Sequence, residues 1–242
     1  ALLDVKVIDP SRILTLEKDG STSMLNTETW EHQFSYTAFG LQAATFTGEH
    51  IIAGKSRSSG FNTPLIQINP QTAETVPINN DNVLVFDVLF DKRKERLYTL
   101  GLEQQNGSFS TVLKEHMGRA FDISFPLYSY PGEDLNASII LDEKTSRVFS
   151  TVGYEGIRRL PSYSYSKQSL LEHKQHIPRN LSLYEGLLYS INTDSSVTVW
   201  DKEKGTHLFD FYIFSDYNWL AQNPSGHYYG SSDVKKYVGF YM

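Results

Sequence analysis

Short runs in which apolar and polar residues alternate, each broken by a few turn-forming residues, fill most of this chain. In Val197-Thr198-Val199-Trp200 the valines fall on one face and Thr198 and Trp200 on the other, the period-two pattern of a strand. Glu185-Gly186-Leu187-Leu188-Tyr189-Ser190 precedes this run, with Ile191-Asn192-Thr193-Asp194-Ser195 as the turn between them. A polar Lys202-Glu203-Lys204-Gly205 turn then leads into Thr206-His207-Leu208-Phe209-Asp210-Phe211. The whole reads as strand, tight turn, strand, tight turn, strand.

The same unit recurs along the chain. Arg12-Ile13-Leu14-Thr15-Leu16, Lys18-Asp19-Gly20 and Thr22-Ser23-Met24-Leu25-Asn26 repeat it near the start, with Thr27-Glu28-Thr29 as the next turn and Trp30 to Tyr36 as the next strand. Later copies begin at His50-Ile51-Ile52-Ala53, Arg96-Leu97-Tyr98-Thr99 and Arg147-Val148-Phe149-Ser150. Equivalent apolar positions fall at Ile13, Ile51, Leu97, Val148, Leu188 and Tyr228, with spacings of 38, 46, 51, 40 and 40 residues. Repeats of roughly 40–50 residues made of four strands are the signature of propeller blades. Helical repeats would need apolar stripes at a 3.6-residue period, and the nearest helical candidate is the short stretch Lys167 to Lys174.

The fold class expected is therefore all-β, a propeller of about five to seven four-stranded antiparallel blades in one domain spanning residues 1–242. A single twisted sheet with two apolar faces cannot stand alone, whereas blades packed radially cover each other's faces. The runs Leu3 to Val7, Gln42 to Phe46, Val83 to Asp87, Ala137 to Leu141 and Leu181 to Leu183 are the expected innermost strands. A sixth blade opening near Tyr228 would lack its outer strand, so that either residues are missing upstream or one strand is misassigned.

Val197-Thr198-Val199-Trp200-Asp201 followed by Lys-Glu-Lys-Gly resembles the third strand and turn of a WD repeat, and Asn26-Thr27-Glu28-Thr29 and Asn69-Pro70-Gln71-Thr72 are degenerate versions of the turn. The stretch from Asn218 to Ser231, with a Trp strand, a Pro-x-Gly turn and a Tyr strand, resembles the closing segment of bacterial WD-repeat-like propellers. The resemblance implies an interaction role, with partners on the face that carries the loops between second and third strands. On that basis the loop positions are Lys18 and Asp19, Arg57, Gln104 and Gln105, Tyr154 and Glu155, and Asp194. The Gly-His dipeptide that caps such repeats is absent, because Gly226-His227 stands elsewhere in the unit. Their hydrogen-bonded His–Asp core network is therefore not expected here.

Composition narrows the function classes. Apolar residues make up 40% and charged residues 21% of 242, ordinary for a folded globular chain. Aromatics reach 13%, which suits strands and argues against long disorder. The formal net charge is −6, and the densest basic run, Lys92-Arg93-Lys94-Glu95-Arg96, reads as a polar turn, so no nucleic-acid partner is expected. With no cysteine there is neither disulfide nor thiolate chemistry. No apolar run reaches the roughly 20 residues of a membrane span, and no membrane insertion is expected. The chain opens on Ala1 without a visible signal peptide, which leaves the cytoplasm and export after signal removal both open.

The chemical motifs are incomplete. Gly54-Lys55-Ser56 lacks the upstream glycine at the right spacing, and no helix follows it, so a phosphate loop is not expected. His173 and His176 lie beside Glu172 but point to opposite faces of extended chain and read as solvent-exposed loop residues rather than metal ligands. No Gly-x-Ser-x-Gly elbow is complete. Trp30, Trp200 and Trp219 read as core or inter-blade packing. The residue types of an interface hot spot cluster only at Tyr154, Arg158 and Arg159. The reading is a non-catalytic scaffold for a protein or peptide, binding through Tyr154, Arg158, Arg159, Arg57 and Asp194, without metal or cofactor. The alternatives are a propeller enzyme or small-ligand binder at the central channel, and a regulatory or sensor domain of a longer protein.

Overall fold

Alternation at period two and turn chemistry together set the architecture, which is described from a computed structural model for residues 2–38, 40–55, 64–78, 82–134, 137–160, 169–172 and 176–237. The protein is an all-β propeller of five antiparallel blades. Blade 1 is β1 (Leu2–Asp9), β2 (Arg12–Glu17), β3 (Ser21–Asn26) and β4 (His32–Thr37). Blade 2 is β5 (Leu41–Phe46), β6 (Ile51–Lys55), β7 (Leu65–Ile68) and β8 (Thr75–Ile78). Blade 3 is β9 (Leu84–Asp91), β10 (Arg96–Gln105), β11 (Ser108–Met117) and β12 (Ile123–Pro131). Blade 4 is β13 (Ile139–Asp142), β14 (Arg147–Thr151), β15 (Ile157–Leu160) and β16 (Ser169–Leu171). Blade 5 is β17 (Pro178–Tyr184), β18 (Leu187–Asn192), β19 (Val197–Asp201) and β20 (Thr206–Ile213), with β21 (Trp219–Gln222) and β22 (Tyr228–Gly230) added beyond β20.

The repeat positions Ile13, Ile51, Leu97, Val148 and Leu188 all lie in the second strand of a blade. Tyr228 breaks the series. Its Trp, Pro-x-Gly and Tyr segments form the hairpin β21–β22, which pairs through Ile213↔Trp219 onto the edge of β20 instead of opening a sixth blade. Both outcomes use the same alternation, and the Phe214–Asn218 turn decides between them by folding the chain straight back, with Phe214 N–H donating to the Asn218 carbonyl at 2.8 Å. The segment 167–174 is strand at Ser169–Leu171, while 167, 168, 173 and 174 lie outside the described residues.

The chain forms two compact units, residues 1–135 and 136–242. In the first, successive residues of blade 2 serve different interfaces. Leu41, Ala44, Ile51, Ala53, Ile66 and Ile68 pack with Leu14, Leu16, Met24 and Phe34 of blade 1. Ala43, Ile52, Leu65 and Ile78 pack with Val85, Val88 and Leu97 of blade 3. Gly54 permits the closeness of that second contact, because a Cβ there would sit 2.6 Å from Val85 Cγ1. In the second unit Phe149, Ile157 and Leu171 of blade 4 meet Leu181, Leu183, Leu188 and Trp200 of blade 5.

One hairpin recurs with the same wiring. Asn26 Oδ1 accepts the Glu28 and Thr29 amides, Asn69 Oδ1 those of Gln71 and Thr72, and Asp201 Oδ1 those of Glu203 and Lys204. Four residues beyond each Asx the backbone turns left-handed, at Trp30 (φ 59°), Ala73 (φ 58°) and Gly205 (φ 71°). Trp30 is thereby carried out of the strand pattern onto a turn, where it is 66% exposed, which corrects its reading as a packing residue. Trp200, 2% exposed, is core as expected, and half-buried Trp219 stacks on Phe211 at a ring distance of 5.6 Å and meets Tyr229 in a tilted contact at 5.5 Å.

Candidate functional site

The loops between second and third strands hold most of the residues singled out above. In blade 1 Asp19 Oδ1 accepts both the amide (2.9 Å) and the hydroxyl (2.6 Å) of Ser21, which holds its carboxyl below the ordinary carboxylate range and leaves Lys18 exposed on the turn. Gln104 and Gln105 lie exposed at the end of β10, before an Asn106-Gly107 turn whose two residues have φ of 52° and 82°. Arg57 lies outside the described residues.

Blade 4 carries the aromatic position. After β14 the chain makes one 3-10 turn, Gly153–Glu155, which packs against β17 and leaves Tyr154 85% exposed. Arg158 reaches back to this turn, its Nη2 3.5 Å from Glu155 Oε2. Arg159 does not join them. Neighbours in a strand point to opposite faces, and Arg159 instead donates to Ser169 Oγ at 2.9 Å and to the carbonyls of Lys202 (3.1 Å) and Glu203 (2.6 Å). The same blade 5 turn is gripped twice more. Lys202 Nζ pairs with Asp142 at 2.7 Å, and Arg147 pairs with Glu203. Burial would raise the Asp142 carboxyl, but the bonds from Lys202 and Thr145 outweigh it and hold the group below its ordinary range. Arg159 is thus part of a clasp between blades 4 and 5, and the cluster reduces to exposed Tyr154 and Glu155 with half-buried Arg158 behind them.

Asp194 lies in the blade 5 loop and anchors a network that the sequence did not announce. His176, just before β17, is 8% exposed, which corrects its reading as a solvent-exposed loop residue; His173 lies outside the described residues. The imidazole Nδ1 is 2.6 Å from Asp194 Oδ2, and Nε2 is 3.0 Å from the Tyr212 hydroxyl. Burial, with Asp210 and Asp194 adding to it, raises the Tyr212 phenol, and on the other side of the ring Nδ1–H donates to the Asp194 carboxylate, which can only accept. Ser196 Oγ donates to Asp194 Oδ1 at 2.6 Å, Asn192 donates to Ser196 and Thr198, and Thr198 donates to Asp210 at 2.8 Å. Burial works against the Asp194 carboxylate, yet the Ser196 bonds and His176 hold it below its ordinary range. A buried His–Asp network is therefore present, supplied by His176 in the segment entering the inner strand and not by a Gly-His dipeptide.

Ser196, His176 and Asp194 name the members of a hydrolytic triad without its geometry. Catalysis needs the serine on the ring nitrogen opposite the carboxylate. Here Ser196 Oγ lies 3.3 Å from Nδ1, the nitrogen that already faces Asp194, and Ser196 is 1% exposed. The network ties the 176–178 segment to the blade 5 loop, helped by the Thr193 amide on the Ile177 carbonyl at 3.0 Å. Among the described residues no three His, Asp or Glu side chains are grouped to hold a metal ion. Gly54 and Lys55 lie buried in β6, with burial pushing the Lys55 ammonium down to about 8, while Ser56 lies outside the described residues. No helix among the described residues is long and apolar enough to cross a membrane.

No protein-family model matches this chain, and no curated protein matches its sequence. Among solved structures, a crystal structure of the computationally designed Ika8 protein is similar over 95% of this chain and 82% of its own, with a TM-score of 0.54 and 12% identity. At that identity the likeness concerns the fold alone.

Proposed function

We propose that this protein is a non-catalytic interaction platform of the WD-repeat-like kind, holding a protein or peptide partner on the loops between the second and third strands of its blades. Tyr154 carries the reading. A tyrosine 85% exposed on a single 3-10 turn contributes little to its own fold, and exposed tyrosine is among the residue types that dominate binding energy at interfaces. The turn beneath it is stiffened from two sides, by β17 and by the Arg158–Glu155 pair, so little conformational freedom remains to be lost on binding. The blade 5 interior supports the same reading, because its serine, histidine and carboxylates are bonded to one another rather than turned toward a substrate. Asp194, exposed beside the Ile177–Thr193 tie, would take part through the carboxylate edge that His176 and Ser196 leave open.

A photo-crosslinking residue placed at 154, and separately at Tyr184, which is 64% exposed at the far end of β17, tests the proposal in an extract of the source cells. A discrete protein adduct is expected at 154 and not at 184. Equal labelling at both positions, or none at 154, would remove the loop face as the binding surface.

A further inference from the structure

Five blades present five outer edges, and four of them are guarded against pairing with another strand. β8 contains Pro77, β12 contains Pro126 and ends at Pro131, β16 is three residues long, and the edge of β20 is covered by β21 and the three-residue β22. These are the devices by which sheet edges are kept from joining other chains. β4, His-Gln-Phe-Ser-Tyr-Thr, has six residues without proline, lysine or any carboxylate, is paired among the described strands with β3 alone, and is interrupted only by a bulge at Gln33 near its start, which leaves Phe34 to Thr37 as a regular ladder.

Its backbone polarity follows from the ladder. The Ala38 amide donates to the Gly20 carbonyl at 3.3 Å, so that pair is hydrogen-bonded. Bonded and unbonded pairs alternate in an antiparallel ladder. Tyr36 opposite Thr22 and Phe34 opposite Met24 therefore turn their amides and carbonyls toward β3, whereas Thr37 opposite Ser21 and Ser35 opposite Ser23 turn theirs outward. The side chains of Gln33, Ser35 and Thr37 are exposed, while Phe34 is buried in the core with blade 2 and Tyr36 stacks on it at 6.5 Å.

We infer that this edge is an assembly site, at which β4 pairs antiparallel with β4 of a second copy of the chain. The sequence Gln33-Phe34-Ser35-Tyr36-Thr37 has the same order of residue types read from either end, the property a two-fold contact requires. With the axis at Ser35, each serine faces its twin and Phe34 faces Tyr36, while Gln33, at the bulge, lies beside Thr37 at either end of the contact. The outward amides and carbonyls of Ser35 and Thr37 are then satisfied, aromatic residues lie opposite each other, and no charges meet. A contact of one strand is far smaller than the roughly 1,600 Å² of a standard interface, so the dimer forms reversibly as protein concentration rises.

Sedimentation velocity over a concentration series tests the inference, alongside Ser35→Pro, which removes an outward donor, and Ser35→Lys, which sets two ammonium groups face to face. Ser35 is exposed in the monomer, and thermal melting of each variant confirms that the fold is kept. The whole chain is expected to shift from monomer to dimer, with both substitutions weakening association about tenfold or more. A chain that stays monomeric throughout, or a dimer that neither substitution weakens, overturns the assignment.

Discussion

Blades 3 and 5 each bury a histidine, and the two settings ask opposite things of it. His116 in β11 is fully buried, with Thr99 Oγ1 at 2.8 Å from Nε2 and Leu97 and Ser124 opposite it on the flanking strands. Burial, with the Lys114 ammonium adding to it, pushes this imidazole down to about 4, so it is a neutral core group. His176 instead sits among Asp194, Tyr212 and Ser196, with Asp210 Oδ2 3.9 Å from Nε2, and it joins segments that the sheet ladder does not connect. A buried histidine fills space in one blade and fastens a loop in the other. The difference lies in whether carboxylates reach it.

The largest test of this contrast is acid. His116 has its folded value near 4 against 6.5 when solvated, so between those values the unfolded chain holds a proton that the folded chain does not. Its contribution is fully present above pH 6.5, falls as the pH drops, and is gone near pH 4. A difference of about 2.5 pH units at about 1.36 kcal/mol each amounts to roughly 3 kcal/mol. Urea unfolding from pH 7 to pH 4 should show that loss, and His116→Gln, which does not titrate, should flatten it. An unchanged slope in the variant would mean that other groups carry the acid sensitivity.

Removing the hub of blade 5 comes next. His176→Ala leaves Asp194 Oδ2 and the Tyr212 hydroxyl without their shared partner, and an abandoned buried polar group costs about 1–3 kcal/mol. About 2 kcal/mol is expected, because Asp194 is half exposed and water replaces part of the bond. In a double-mutant cycle with Asp194→Ala, a coupling of about 1 kcal/mol or more would confirm that the pair acts as a unit. Additive effects would reduce His176 to a packing residue.

Much of the fold was legible because it depends on local rules. Each innermost strand was visible as an extended run, and each second strand as a recurring apolar position, since alternation is set by neighbours two residues apart. Five blades fall within the expected number, and only the reading of Tyr228 as the opening of a sixth failed, because a hairpin added to an old sheet and one opening a new sheet share that alternation. Trp30 misled for a related reason: the strand pattern continues through it, but the Asn26 turn shifts the register just before β4 begins. The candidate site was less legible. Tyr154 and Arg158 are close in sequence and were found together, whereas adjacent Arg159 was grouped with them against the alternation rule and belongs to the blade 4–5 clasp. His176 stayed hidden because its partners stand 18 and 36 residues away, a separation only the folded sheet closes.

The smallest effect compares the repeated hairpin across blades. Gly205, Ala73 and Trp30 occupy the same left-handed position, and only glycine adopts it without a Cβ clash, at a difference of roughly 1–2 kcal/mol for other residues. Gly205→Ala should therefore destabilise blade 5 by about 1 kcal/mol, all of it from the backbone, because the new Cβ would stand in ordinary contact 3.5 Å from the Leu171 side chain. Ala73→Gly should stabilise blade 2, though by less, because glycine also gains freedom in the unfolded chain. Trp30→Gly relieves the same backbone in blade 1 and strips an exposed ring that contributes little to packing, so thermal melting should rise there too. If Trp30→Gly lowers the melting temperature while Ala73→Gly raises it, the ring contributes to blade 1 more than its exposure suggests, and the strained turn is held by the indole as well as by Asn26.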